Sequence, residues 1–229
     1  MKFLAAAFLC LTTALTLRAE ADAEAILKAA RMNPLGEPIE LKAQLRSGST
    51  SVPFRIVVRD GKVSYVFENP DQEILLGLGD KEATLQERRG GKTSPIGPAR
   101  WDDSVRGGLL SYEDLALQFL YWPNPRLLGE EDLERIPSYK IEVQAPSSSS
   151  QYGVVRVWIG RENGALVGIE GFDRDGKLIK RFKVVTVQKL GGQWMLKQMR
   201  IERLGPTTRK VTGRMYLEIT GKADDKPSA

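Results

Sequence analysis

Carboxylates are the main candidates for acid–base chemistry in this sequence, because it has no histidine and a single cysteine, Cys10. Two acidic groups could supply a paired acid and base: Glu113-Asp114 and the Glu-Glu-Asp-Leu-Glu run of residues 130–134. Each has a simpler explanation. Asp114 follows Ser111 at the spacing of a helix-capping box, and the later run is typical of a solvated turn or helix face. We therefore expect no enzyme.

The same composition excludes several other kinds of site. Without histidine there is no Ser-His-Asp triad, Cys-His pair or histidine-bound metal, and one cysteine cannot form an intramolecular disulfide. Gly90-Gly91-Lys92-Thr93 lacks the first glycine of a phosphate-binding loop. We expect no cofactor and no metal, and these exclusions favour a binding role.

The elements that would position a binding site are mostly strands. Alternating apolar residues, as in Val52–Val58 and Val63–Phe67 around the turn Asp60-Gly61, predict about eleven antiparallel strands. The predicted fold class is mainly β (α+β). A sheet of that extent with one apolar face must curl, and it then encloses a partly occupied apolar interior. A packed sandwich is the alternative.

Two helices and one long loop accompany the strands. Residues 20–32 form the first predicted helix. The second begins at Ser111 and carries Leu115, Phe119 and Trp122 on one apolar stripe. The Gly-rich loop of residues 90–108 surrounds Trp101, which either closes over the cavity mouth or packs elsewhere.

The N-terminus has the pattern of a secretory signal peptide. Met1-Lys2 precedes an apolar run, Phe3–Leu17, which is too short for a comfortable bilayer span of about 20 residues, and alanines follow. The predicted organisation is a signal peptide at 1–19, one domain at 20–221 and a disordered tail at 222–229. An uncleaved N-terminal anchor is the alternative. We expect export and therefore a periplasmic location.

Positive charge is concentrated in the C-terminal half. The chain has 34 Lys and Arg against 29 Asp and Glu, and twelve of the basic residues lie between Arg174 and Arg214. Such a stretch could bind nucleic acid or an anionic membrane, and the export signal argues against nucleic acid. Arg200, Arg203 and Arg209 are the predicted residues for docking to a membrane or partner. A solvated outer sheet face is the alternative.

Several short motifs occur together over roughly residues 24–220. They are Gly79-Asp80-Lys81, Ser111-Tyr112-Glu113-Asp114-Leu115, Val157-Trp158-Ile159, Phe172-Asp173-Arg174-Asp175-Gly176-Lys177 and Gly191-Gly192-Gln193-Trp194. In this order they resemble the bacterial outer-membrane lipoprotein-sorting proteins, the LolA-like periplasmic carriers, in their broad uncharacterised branch.

The resemblance implies an unclosed antiparallel β-barrel capped by helices, which holds acyl chains in an apolar cavity. It implies a carrier of lipoproteins or phospholipid that acts between an inner-membrane donor complex and an outer-membrane acceptor. We expect a monomer. An envelope-stress or envelope-assembly module that uses the same fold to sense lipid or bind protein partners is the alternative.

The predicted cavity residues combine the capping stripe, the apolar strand faces, the loop tryptophan and two adaptable methionines. They are Phe54, Ile56, Tyr65, Phe67, Trp101, Leu115, Phe119, Trp122, Val143, Trp158, Met199 and Met215. The alternative for each is that it belongs to an ordinary filled core.

Overall fold

A computed structural model of the chain describes residues 22–32, 38–190 and 193–223. The predicted signal peptide and residues 224–229 of the predicted tail lie outside these ranges. Two α-helices, α1 (Ala23–Met32) and α2 (Tyr112–Ala116), accompany thirteen strands. No helix in the described ranges is both long and apolar enough to cross a membrane.

The strands follow one another in short antiparallel steps. The first six are β1 (Ile39–Ser47), β2 (Thr50–Arg59), β3 (Lys62–Phe67), β4 (Gln72–Leu78), β5 (Ala83–Arg89) and β6 (Lys92–Pro95). The other seven are β7 (Arg126–Leu133), β8 (Ile136–Gln144), β9 (Val154–Gly160), β10 (Leu166–Phe172), β11 (Leu178–Leu190), β12 (Gln193–Leu204) and β13 (Val211–Lys222).

All thirteen strands form one antiparallel sheet in the order β6-β5-β4-β3-β2-β1-β13-β12-β11-β10-β9-β8-β7. Strands β6 and β7 are the two edges and do not pair with each other, so the barrel is open. This confirms the predicted unclosed antiparallel architecture. The number of strands is two above the predicted count of about eleven.

The sheet is strongly curled around α2. The hydroxyl of Tyr112 on α2 donates a hydrogen bond to Glu87 of β5 at 3.2 Å. The ammonium group of Lys180 on β11 donates one to Asp114 of α2 at 2.7 Å. Strands β5 and β11 are seven positions apart in the sheet, about 33 Å if it were flat. Side chains two residues apart on one short helix can reach both strands only because the sheet wraps around it.

The chain between the two edge strands differs from the prediction in two places. The predicted loop of residues 90–108 contains β6 and the 3₁₀ turns Pro98–Arg100 and Val105–Gly107. The predicted second helix stops after five residues because Leu117 adopts a left-handed conformation (φ 50°, ψ 38°), and a 3₁₀ turn, Gln118–Tyr121, follows. The chain between β6 and β7 covers the concave face of the sheet.

Candidate functional site: an apolar cavity under the helical segment

A cavity of about 530 Å³ lies between the concave face of the sheet and the segment Leu117–Tyr121. Its size falls in the usual range for sites that take small organic ligands. The side chains around it are mostly apolar and come from both sides. They include Leu41, Ile56, Val58, Val63, Tyr65, Leu76, Leu78, Leu117, Leu120, Tyr121, Trp194, Met195, Leu196, Met199 and Ile219.

Strand pairing explains how β2 and β3 line the cavity. Ile56 and Tyr65 are directly opposite each other, so their side chains share the concave face. Both are half-buried, whereas Phe54 and Phe67 on the same face are buried and stack with ring centroids 5.0 Å apart. Burial raises the pKa of Tyr65 to about 12, so its phenol stays neutral. The cavity wall is therefore uncharged at this position.

The structure places the twelve predicted cavity residues in four different settings, the last of which is that of Trp158. Ile56, Tyr65 and Met199 line the cavity. Seven others are buried core residues: Phe54, Phe67, Leu115, Phe119, Trp122, Val143 and Met215. Trp101 is half-buried and packs against this core, and it does not line the cavity.

Trp158 is placed away from the cavity. Its neighbours Val157 and Ile159 point into the core, so alternation along β9 directs Trp158 to the convex face. There its indole Nε1 donates to Glu131 at 2.6 Å, and the Lys140 ammonium group lies 5.0 Å from the ring centroid. Trp158 is buried by polar neighbours, and its placement corrects the prediction that it faces an acyl chain.

Most of the segment that borders the cavity was not predicted from the sequence. Leu117, Leu120 and Tyr121 face it because the chain leaves the α-helical path at Leu117. No residue pattern signals this break, since leucine is rare in the left-handed region. Trp194 on β12 also lines the cavity beside Met195, and the run of large apolar residues there is a sequence signal that could have identified it.

The charged residues in the described lining are both basic, Arg31 and Lys222. The Arg31 guanidinium is buried, donates to the Leu120 carbonyl at 2.8 Å and lies 4.6 Å from the ring centroid of Tyr121. The Tyr121 hydroxyl is buried and has no hydrogen-bond partner among the described residues. Arg31 also pairs with Glu24 at 2.9 Å, so the described lining is apolar apart from these two basic residues.

The acidic pair at the start of α2 has a structural role. Ser111 and Asp114 form a reciprocal capping box, as predicted. The Asp114 carboxylate also accepts from the Tyr152 hydroxyl at 2.5 Å and from Lys180 at 2.7 Å. Glu113 is fully buried beside it, and burial raises its pKa to about 7. These contacts fix α2 to the sheet and lie apart from the cavity lining.

The second acidic run lies on edge strand β7, where the sequence analysis predicted a turn or helix face. Its carboxylates are paired across strands: Glu130 with Arg161 at 2.6 Å and Glu131 with Lys140 at 3.2 Å. In the described part of the chain, no group of three or more His, Cys, Asp or Glu residues could hold a metal ion. The run is therefore explained by ion pairs within the sheet.

A family model described as "Uncharacterized protein" matches residues 89–222, more than half of the chain. The chain belongs to this family. The match spans the segment that covers the concave face and eight strands, β6 to β13. No curated protein matches the sequence significantly.

Solved structures similar to this family member share its fold at low sequence identity. A LolA superfamily protein from Nitrosomonas europaea is 17% identical, with a TM-score of 0.62, covering 91% of this chain and 96% of the other. A domain from Vibrio parahaemolyticus, named for outer membrane lipoprotein sorting, is 16% identical (TM-score 0.63; 90% and 96% covered). A DUF1329 family protein from Desulfovibrio piger is 18% identical (TM-score 0.62; 86% and 90% covered). The predicted LolA-like fold is confirmed.

The three arginines predicted to dock together do not form one surface in this family member. Arg200 and Arg203 are three residues apart on β12 and lie on opposite faces of the sheet. Arg200 pairs with Glu202 at 3.2 Å, and Arg203 borders a separate small hollow beside Lys180. Arg209 lies in the turn between β12 and β13. Clustering along the sequence did not translate into clustering in space, because strand alternation separates neighbours.

Proposed function

We propose that this protein is an exported carrier that binds an acyl chain of a lipoprotein or phospholipid in the cavity and helps sort it toward the outer membrane. The observation that carries the proposal is the apolar cavity of about 530 Å³ on the concave face of the open barrel. An open sheet with a covered concave face can admit a chain from the side without unfolding.

The lining chemistry suits an acyl chain. Each methylene removed from water contributes about 0.8 kcal/mol, so a long acyl chain could contribute on the order of 10 kcal/mol. Met195 and Met199 can adapt their side chains to ligands of different shape.

The cellular setting of the proposal comes from the sequence and the resemblance. We infer that residues 1–19 direct export to the periplasm and are removed, and that residues 20–221 act as a single carrier domain. An inner-membrane donor complex and an outer-membrane acceptor are the proposed partners, with the protein itself a monomer. Binding and release need no covalent step, so the proposal assigns no catalytic residue.

A pair of matched variants tests the cavity. Ile56 and Val57 are neighbours on β2, and only Ile56 points into the cavity. We expect Ile56→Trp to fill the cavity and abolish acyl loading, whereas Val57→Trp adds the same bulk on the convex face and retains loading. Native mass spectrometry of protein purified from the periplasm without detergent, followed by solvent extraction, measures the bound acyl species.

The result also separates the two functional hypotheses. Acyl adducts on the wild type and on Val57→Trp, with none on folded Ile56→Trp, support the carrier. A wild type that carries no adduct and takes up no fatty acid on titration contradicts it. An envelope-stress or assembly module that binds protein partners would then explain the fold better.

A further inference from the structure

Strands β11 and β12 extend beyond the rest of the sheet as a two-stranded ribbon. The pairing of β11 with β10 reaches only Gly168↔Lys183, and the pairing of β12 with β13 reaches only Gln198↔Glu218. The pairing of β11 with β12 continues to Leu190↔Gln193. We define the ribbon as residues 184–190 of β11 and 193–197 of β12, which pair with neither β10 nor β13.

The ribbon exposes large apolar side chains to an unusual degree. Five large hydrophobic side chains are exposed in the described part of the chain, and three are on the ribbon: Val185, Val187 and Trp194. Trp194 has the highest exposure of the five, at 68%. Exposed tryptophan on a projecting element is costly in water unless another surface covers it, so the ribbon has the character of a contact surface.

Cross-strand pairing places two of these side chains, Val187 and Trp194, on one face. Val187 lies directly opposite Leu196, and Lys189 lies directly opposite Trp194. Opposite residues of an antiparallel pair share a face, and so do residues two apart on one strand. One face of the ribbon therefore presents Val187, Lys189, Trp194 and Leu196 together.

The charge of the ribbon has one sign. Its sequence contains no Asp or Glu, and Lys189 and Lys197 are both exposed. Neither ammonium group has an ion-pair partner among the described residues, whereas Lys183 just before the ribbon pairs with Glu134 at 3.0 Å. The positive charge of the ribbon is thus available to an external anionic surface.

We propose that the ribbon docks this protein on the surface of an anionic lipid bilayer. Tryptophan and lysine both suit the membrane interface, where the indole sits among the head groups and the lysine stem lies on apolar surface while its ammonium group meets phosphate. Trp194, Met195 and Leu196 also line the cavity. Docking through the ribbon therefore brings the cavity next to the bilayer.

Vesicle co-sedimentation of the protein, purified from cells expressing the full chain, tests this inference. We expect binding to phosphatidylglycerol vesicles that weakens with salt, and much weaker binding to phosphatidylcholine vesicles. Trp194→Ala should lower the binding constant at least about tenfold, and so should the double variant Lys189→Glu/Lys197→Glu. Val187→Ser on the same face is a second apolar test.

The matched control reverses the same number of positive charges outside the ribbon. Arg209→Glu/Lys210→Glu alters the turn between β12 and β13 and should change binding by less than about threefold. An equal loss in this control would mean that overall charge, not the ribbon, governs binding, and would overturn the proposal. Absence of wild-type binding would overturn it as well. So would wild-type self-association in light scattering that Trp194→Ala abolishes, which would identify a second copy as the occupant.

This inference does not rest on what the cavity holds. Ile56→Trp should lose acyl loading and keep vesicle binding, while Lys189→Glu/Lys197→Glu, outside the cavity lining, should lose vesicle binding and keep uptake of a fatty acid in solution. Loss of both properties in either folded variant would contradict the separation of the two sites.

Discussion

Glu113 is the most strongly perturbed carboxyl group near α2. It is fully buried, and its Oε1 has no hydrogen-bond partner among the described residues. Burial is the largest cause of its raised pKa, about 7, and the charges of Asp114 and Asp102 add to it. Lys180 does little to stabilise a charged Glu113, because its ammonium group donates hydrogen bonds to Asp114 and Gln151. Folding therefore favours the protonated form of Glu113.

The sign of the pH effect follows from this shift. A raised pKa in the folded state contributes stability that is present below about pH 4.5 and is lost as the pH rises through about 7. We expect Glu113→Gln to remove this loss. The free energy of unfolding of the variant should therefore exceed that of the wild type by an amount that grows between these pH values to roughly 2–3 kcal/mol. Urea unfolding of both proteins across this range measures it; parallel curves would contradict the assignment.

At the scale of elements, the short helix α2 depends on its cap and its contacts. Five residues form no stable helix alone, so α2 persists because Ser111 caps it and its side chains reach both halves of the sheet. The Ser111 hydroxyl accepts from the Asp114 backbone at 3.2 Å and from Gln151 at 2.8 Å. One serine therefore connects the helix to the turn before β9.

Removing this hydroxyl should destabilise the whole domain. We expect Ser111→Ala to cost about 1–2 kcal/mol in the free energy of unfolding, because the cap is lost and the half-buried amide of Gln151 loses a partner. Ser94→Ala, on exposed edge strand β6, should change stability by less than about 0.5 kcal/mol. Chemical denaturation compares the two, and equal effects would show that the cap contributes nothing specific.

At the scale of the whole molecule, the open sheet and its cover leave space that a ligand can fill. A ligand that binds only the folded state stabilises it by about 2.7 kcal/mol at a hundredfold excess over its Kd. For a chain of this length, we expect palmitate at that excess to raise Tm by about 5–10 °C. Val57→Trp should keep the shift and Ile56→Trp should lose it. An unchanged wild-type Tm in differential scanning calorimetry would count against an acyl site.

Local signals in the sequence predicted local structure well. Asp60-Gly61 is a hairpin turn with positive φ at both residues, and Ser111 and Asp114 form the predicted capping box. The alternation of Val63, Tyr65 and Phe67 places all three on the concave face. The patterns predicted no strand at Arg126–Leu133, because its acidic residues are poor strand formers; the backbone pairing of β7 with β8 makes this segment a strand.

The sequence by itself determined the mainly β class, the direction in which most strand residues point, and the absence of histidine-based chemistry. Only the tertiary structure decided how deep each inward residue lies. Phe67 is packed against Phe54 in the core, whereas Tyr65, two residues away on the same face, borders the cavity. Alternation assigns a side chain to a face of the sheet. Whether the space in front of that side chain is filled or empty depends on neighbouring strands and on the segment after α2, and therefore on contacts between residues far apart in the chain.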